Sequence, residues 1–340
     1  MFPLFELPLL PLIEIVKSYS LKEIVLLSMT SSRSLRIMKT LLKHMRYCDN
    51  NNMIIGMAIY PSVHKITVTT GHEKFNIHVN DKNWMRTVPS CEKTFKNTKY
   101  FLDDYKYGFK TYWQDDDKAI QMFYNHISEL FGAPITNLVY NPSEEKLYLD
   151  LLETVLYNQD AIPQCSVGLV NLSEKNSARV LNHLQKVQNL SLSSNVLNCD
   201  ASKFKLQNLM IEDGDNISFQ KLIELNCESI GIFQHCYNNN ALQNKNLNSY
   251  LRRWKAGFFP RLKNFRLETK ASLTLPNILR KIPFELSADQ IEIDGEDTVL
   301  TAGPLNIRNV TNGKIGTVYI MDTWNEHGHY LTIFEFSVEN

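Results

Sequence analysis

The sequence lacks the usual marks of a metal-knuckle, membrane or secreted protein. Its six cysteines, at 48, 91, 165, 199, 227 and 236, form no CxxC pair. The closest two, Cys227 and Cys236, are spaced too widely for a zinc knuckle. They are expected to be free thiols, mostly buried, in a reducing compartment. No apolar run reaches the ~18 residues needed to cross a bilayer, so no membrane partner is expected. The opening MFPLFELPLLPLIEIV is apolar, yet it carries Glu6 and Glu14, is broken by Pro3, Pro8 and Pro11, and has no basic leader segment. It therefore does not read as a secretion signal. Excess charge of either sign is missing too: Lys+Arg and Asp+Glu both number 36. A general nucleic-acid binder needs a basic surplus, so none is expected here. Gly-rich phosphate loops, GxSxG and HExxH are absent from the 340 residues, and no enzyme class is indicated.

What is present begins with three short helices. Pro8 and Pro11 suit a first helical turn, where a missing N–H costs nothing. Leu12, Ile15, Val16 and Tyr19 then fall on one stripe, with an end near Ser18. Ser20-Leu21-Lys22-Glu23 is a capping box opening the second helix. The third starts at Ser31 or Ser32, with Leu35, Met38, Leu42 and Met45 along one face. About 45 residues cannot bury this much apolar surface alone. Either the rest of the chain or another protein must cover it.

After the polar break Asp49–Asn52, Met57–Tyr60, Lys65–Thr69 and Phe75–Asn80 read as strands of a hairpin connector. Residues 81–115 show no pattern. Asp115-Asp116-Asp117 could hold a metal, but better suits the start of a helix, where acids are favoured; that helix carries Ala119, Met122, Phe123, Ile127 and Leu130 and is closed by Gly132. The histidines, His64 and His126 among them, do not fall at ligand spacing to Cys or carboxylates. No metal or cofactor is expected. His327-Gly328 reads as a turn.

From about residue 135, short apolar strands recur at 137–140, 166–170, 190–192, 209–211, 230–232, 265–267 and 291–293. Helical segments lie between them: Ala178, Leu181, Leu184 and Val187; then Phe219, Leu222 and Ile223 behind Ser218; then Leu247, Tyr250, Leu251 and Trp254 before Gly257. A strand plus a helix per unit suggests an irregular leucine-rich-repeat-like parallel sheet, without the consensus asparagine ladder. Leu305–Arg308 and Gly316–Met321 read as a hairpin around Asn312-Gly313, which would cap the open end of the sheet. The fold class expected is α+β or α/β. The domains expected are a helical module at 1–48, a β-hairpin connector at 49–115, a repeat-like body at 116–300 and a C-terminal β cap at 301–340.

Two stretches carry a resemblance. Leu7-Pro8, the apolar pair Ile15-Val16 and Leu27-Ser28…Ser31 resemble an F-box. Leu247-Asn248-Ser249-Tyr250-Leu251-Arg252-Arg253-Trp254-Lys255-Ala256-Gly257-Phe258-Phe259-Pro260-Arg261-Leu262-Lys263-Asn264-Phe265-Arg266-Leu267-Glu268 closely resembles the type 2 F-box-associated domain of nematode F-box families. The departure is in the third helix, where Leu35 or Ile37 stands in place of a frequent aromatic. The resemblance implies a non-catalytic adaptor of an SCF ubiquitin ligase, cytoplasmic or nuclear. It implies that Leu4, Leu7, Pro8, Leu10, Val16, Ile24 and Leu27 contact the Skp adaptor subunit and, through it, a cullin, and that the body holds one protein substrate leading to its degradation. The alternative is an F-box-containing scaffold acting without ubiquitin ligation. The six basic residues of the second stretch could suggest a nucleic-acid groove. The simpler reading places Trp254, Leu251 and Leu262 in the core and Arg252, Arg253 and Lys255 on a solvated face.

Overall fold

In the computed structural model the described residues are 4–45, 53–84, 91–143, 147–157, 159–169, 172–193, 206–234, 242–287, 298–324 and 330–339. The polar break at 49–52, the strand expected at 291–293 and the turn at His327-Gly328 lie outside them. The chain divides into two compact units, Met1–Cys165 and Ser166–Asn340.

The first unit opens with a 3-10 turn at Leu4–Glu6 and helices α1 (Leu9–Lys17), α2 (Leu21–Ser28) and α3 (Ser32–His44). Pro8 stands at the N-cap of α1. The Ser20–Glu23 capping box forms in both directions, and Ser31 caps α3 through the Ser34 N–H. Strands β1 (Ile54–Ile59), β2 (Val63–Thr69) and β3 (Lys74–Asp81) follow. Their inward positions alternate: His64, Ile66 and Val68 on β2 are all buried.

Residues 91–113, expected to be irregular, are strands β4 (Cys91–Phe95), β5 (Thr98–Tyr105) and β6 (Gly108–Trp113). The reason is local. Lys96 and Asn97 take left-handed backbone angles, φ 46° and 64°, and close the β4–β5 turn. Within these two strands only Phe95 and Tyr100 are buried, so no alternation shows in the sequence. Tyr100 stacks on Trp113 at 4.7 Å.

Helix α4 (Asp116–Phe131) is capped by Asp115, which accepts from the Lys118 N–H, and is closed by Gly132 at φ 63°. Strand β7 (Ile135–Tyr140), helix α5 (Leu149–Tyr157) and strand β8 (Ile162–Gly168) complete the unit, whose boundary falls inside β8. The strand order is β4-β5-β6-β3-β2-β1-β7-β8. β1 runs antiparallel to β2 and parallel to β7.

The second unit contains helix α6 (Glu174–His183), strands β9 (Val187–Ser193) and β10 (Asn208–Ile211), helix α7 (Phe219–Leu222), strand β11 (Ser229–Gln234), helix α8 (Asn244–Lys255), strand β12 (Asn264–Thr269), helix α9 (Leu275–Ile278) and strands β13 (Glu285–Leu286), β14 (Thr298–Arg308), β15 (Ile315–Trp324) and β16 (Tyr330–Val338). Helix α6 ends earlier than its apolar stripe suggests. Leu184 enters a 3-10 turn and Val187 opens β9. β9 to β12 are parallel. Their inward residues meet in register: Leu190, Leu209, Ile230 and Phe265 form one row, and Leu192, Ile211, Ile232 and Leu267 the next. β16 pairs antiparallel with β12 and extends both rows through Phe336 and Phe334. The antiparallel run β16-β15-β14-β13 follows.

The architecture is mixed α/β. The connections between the parallel strands differ in content: one holds the short α7, another the twelve-residue α8. Among the described residues the structure shows a run of parallel strands joined by helical connections of different length. The terminal strands expected as a cap are part of the sheet itself. Of the cysteines in described segments, Cys91, Cys165 and Cys227 are free. Burial pushes the Cys165 and Cys227 thiols up to about 12, which suits inert core residues.

Candidate functional site

The three opening helices present two faces. Leu12 and Val16 of α1, Leu21, Ile24 and Val25 of α2, and Leu35, Met38, Leu41 and Leu42 of α3 are buried. The chain itself therefore covers much of the apolar surface that the sequence leaves in need of cover. α2 is also fixed by polar contacts. The Leu21 N–H donates to Glu73 Oε2 at 2.9 Å, Lys22 pairs with Asp104, and Lys22 Nζ donates to the Tyr105 carbonyl at 3.2 Å. Ser28 Oγ donates to the Val25 carbonyl at 2.7 Å and lies 2.8 Å from His126 Nε2 on α4. Its single proton being used, the hydroxyl accepts from Nε2–H, which assigns the tautomer. Burial, with Lys96 nearby, pushes the His126 pKa down to about 4.

The other face is open. Leu10 is 75 % exposed and Leu9 47 %. Pro8 and Pro11 are exposed beside them, and Leu7, Ile13 and Leu27 are half-buried. The seven residues singled out from sequence thus divide. Pro8 and Leu10 lie on the open face, and Leu7 and Leu27 are half-covered. Val16 and Ile24 are completely buried in the chain's own core and support the face from within, because an i, i+4 pair such as Leu12 and Val16 turns one side of a helix inward. The side chain of Leu4 lies outside the described residues. Leu9 belongs to the apolar opening that needs cover but is not among the seven contacts that the resemblance implies; its place beside Leu10 in the first turn, away from the Leu12–Val16 stripe, is the signal that adds it.

A second arrangement involves the acidic triplet. Asp115 caps α4, as expected. Asp116 and Asp117 face His64 of β2, whose Nε2 lies 3.5 Å from Asp116 Oδ2 and 3.6 Å from Asp117 Oδ1. Burial pushes the His64 pKa down, but the two carboxylates outweigh it and hold the imidazole above its ordinary value. The sequence separation of 64 and 116 hides this pairing, which the fold creates, contrary to the expectation that His64 has no carboxylate at ligand spacing. The detectable signal was His64-x-Ile66-x-Val68, one position beyond the strand read from sequence.

In the second unit, Tyr250, Leu251 and Trp254 of α8 are buried, as are Leu262, Phe265 and Leu267. Arg252 and Arg253 are exposed. The basic residues that follow have local work. Arg261 donates to the Asn226 carbonyl at 3.0 Å, approaches the Leu206 carbonyl at 3.5 Å, and pairs with Glu228 at 3.3 Å. Lys263 also pairs with Glu228, and Arg266 with Glu268 and Glu335. This employment leaves little of the run for phosphates. Gly257, at φ 92°, turns the chain out of α8 where a Cβ would strike Thr311. Beside this corner lies a cleft of ≈ 460 Å³, lined by Lys255, Phe284, Glu285, Arg308 and Val310 among others. Phe284 and Val310 are 51 % and 70 % exposed.

Residues 183–267 match the family model described as F-box associated. The matched segment runs from the end of α6 to β12 and includes the Trp254–Gly257 corner and the Arg261 contacts. No curated protein matches the chain. Among the described residues, no helix is long and apolar enough to cross a membrane.

Proposed function

We propose that the chain is a non-catalytic substrate receptor of an SCF-type ubiquitin ligase. Residues 1–48 act as an F-box that docks the Skp adaptor subunit and, through it, a cullin. The parallel-stranded body, leucine-rich-repeat-like in its strand–helix order, holds one protein substrate for ubiquitination in the cytoplasm or nucleus. The observation that carries this reading is the exposed Pro8-Leu9-Leu10 ridge on a helical platform, in a chain that also bears an F-box-associated segment. A monomer gains nothing by leaving Leu10 three-quarters exposed at the start of a helix. A helix-on-helix partner would remove it from water, at ~25 cal/mol per Å². Leu7 and Leu27 would form the half-covered rim of the same contact. On the body, the cleft beside Lys255, Phe284 and Val310 is the surface proposed for the substrate.

The test is co-expression of the full chain with a Skp subunit, followed by capture and size-exclusion chromatography. A 1:1 complex is expected, and Leu9→Asp with Leu10→Asp should abolish it. A chain that stays free beside an excess of Skp subunit sinks the proposal. Binding without substrate ubiquitination in a cullin-reconstituted assay would favour the scaffold alternative.

A further inference from the structure

Docking through apolar helices makes no use of His64, Asp116 and Asp117. His64 is the second residue of β2, and Asp116 and Asp117 open α4. One donor atom from each lies within 4.8 Å of the other two. The distances from His64 Nε2 to the two carboxylates, 3.5 and 3.6 Å, are longer than an N–H···O hydrogen bond, which spans about 2.7–3.2 Å. The imidazole is fully buried, and neither of its nitrogens has a hydrogen-bond partner. A buried polar ring in that condition is costly. The same spacings suit two donor atoms that share a tetrahedral ion: bonds of about 2.0–2.1 Å to nitrogen and oxygen place neighbouring donors about 3.3–3.4 Å apart.

We propose that His64 Nε2, Asp116 Oδ2 and Asp117 Oδ1 hold a divalent cation of the zinc class. The donor set is one imidazole and two carboxylates, which suits zinc or cobalt in nitrogen–oxygen coordination. Two carboxylates and a doubly charged ion sum to zero, which is what a buried site requires. The positive end of α4 works against a cation, and the paired carboxylates outweigh it. Asp116 is buried, whereas 45 % of the Asp117 side chain is exposed. Asp117 therefore marks the side from which the ion and a fourth, water ligand arrive. The ring of Tyr148 packs edge-on against His64 at 4.9 Å and holds the imidazole plane, a constraint that pre-organises a ligand. The ion would tie β2 to the start of α4, the helix whose His126 meets α2 through Ser28. It would thus stiffen the platform beneath the exposed helices, whatever they dock. Sites of this kind contribute directly to folding stability.

The experiment uses the full chain, stripped with chelator and titrated with Zn²⁺, Co²⁺ or Mg²⁺. Calorimetry should give one Zn²⁺ per chain, with a rise in Tm that chelator reverses. Co²⁺ should give the intense visible absorption of a four-coordinate ion. Mg²⁺, which demands six oxygen ligands, should do neither. Asp117→Asn, at a half-exposed position that tolerates change, should weaken Zn²⁺ at least about tenfold, and His64→Gln should remove the Co²⁺ band. A Tm indifferent to Zn²⁺ and chelator overturns the proposal, leaving an imidazolium held between two carboxylates. Zn²⁺ binding unchanged in both variants overturns it too, because the ion would then sit elsewhere.

Discussion

His126 shows how a single side chain decides where this fold is vulnerable. It sits on the core face of α4, its Nε2–H satisfied by Ser28 and its Nδ1 without a partner. Phe95 meets its ring edge-on at 5.1 Å. A second proton would have to enter this apolar setting, so the folded pKa lies at about 4 against 6.5 in the unfolded chain. Between those values the unfolded state binds a proton that the folded state refuses. The contribution is complete above pH 6.5 and is lost as pH falls, by up to about 1.4 kcal/mol per pH unit until about pH 4. His126→Asn keeps a donor for Ser28 but cannot charge. Urea midpoints at pH 7 and pH 5 should therefore differ markedly less in the variant than in the parent chain. An equal acid loss in both would show that other groups govern it. His64, buried on β2, behaves oppositely because it has the Asp116 and Asp117 carboxylates beside it.

At the scale of elements, the opening helices and α4 were legible because they carry their own start and stop signals: Pro8, the Ser20–Glu23 box and Ser31 for the first three, Asp115 and Gly132 for α4. The parallel strands β9 to β12 were legible because their inward residues form continuous rows of Leu, Ile and Phe. The β4–β5–β6 meander was not, because two of its strands bury one residue each and its first turn is set by backbone angles at Lys96 and Asn97. The proposed docking face was half legible for a related reason: apolar residues read alike whether they face a partner or their own core, and only the folded packing separates exposed Leu10 from buried Val16. Arg261 is the element-scale link that composition concealed. Leu206, Asn226 and Arg261 precede β10, β11 and β12, and the guanidinium ties these three strand starts together. Arg261→Ala removes the guanidinium donors from both the Asn226 and the Leu206 carbonyls. The expected cost is ~1–3 kcal/mol, leaving aside the Glu228 pair, which solvent screens. Arg261→Lys should recover little, since an ammonium cannot reproduce the planar fork. Chemical denaturation of the three chains measures both effects, and a fully rescuing Lys would refute the fork.

At the scale of the whole molecule, stability and the proposed docking draw on the same helices but on different residues, and this makes them separable. Val16 is fully buried; Leu9 and Leu10 project outward within the same helix. Placing a charge at position 16 puts an unpaired carboxylate in the core, a change among the few that cost several kcal/mol. Val16→Asp should therefore lower Tm steeply and lose the Skp subunit through unfolding. Leu9→Asp with Leu10→Asp removes apolar area that water already reaches, so stability should change by no more than the small range of surface substitutions, about 0.5 kcal/mol, while capture of the Skp subunit fails. Deleting residues 1–45 would not separate the two, because it strips α4 of its cover. Thermal unfolding and capture, run on the same preparations, should place the two variants apart: both fail to bind, and only one remains folded. If the double variant also unfolds, the ridge is part of the chain's own core. If it binds undiminished, a different surface meets the adaptor.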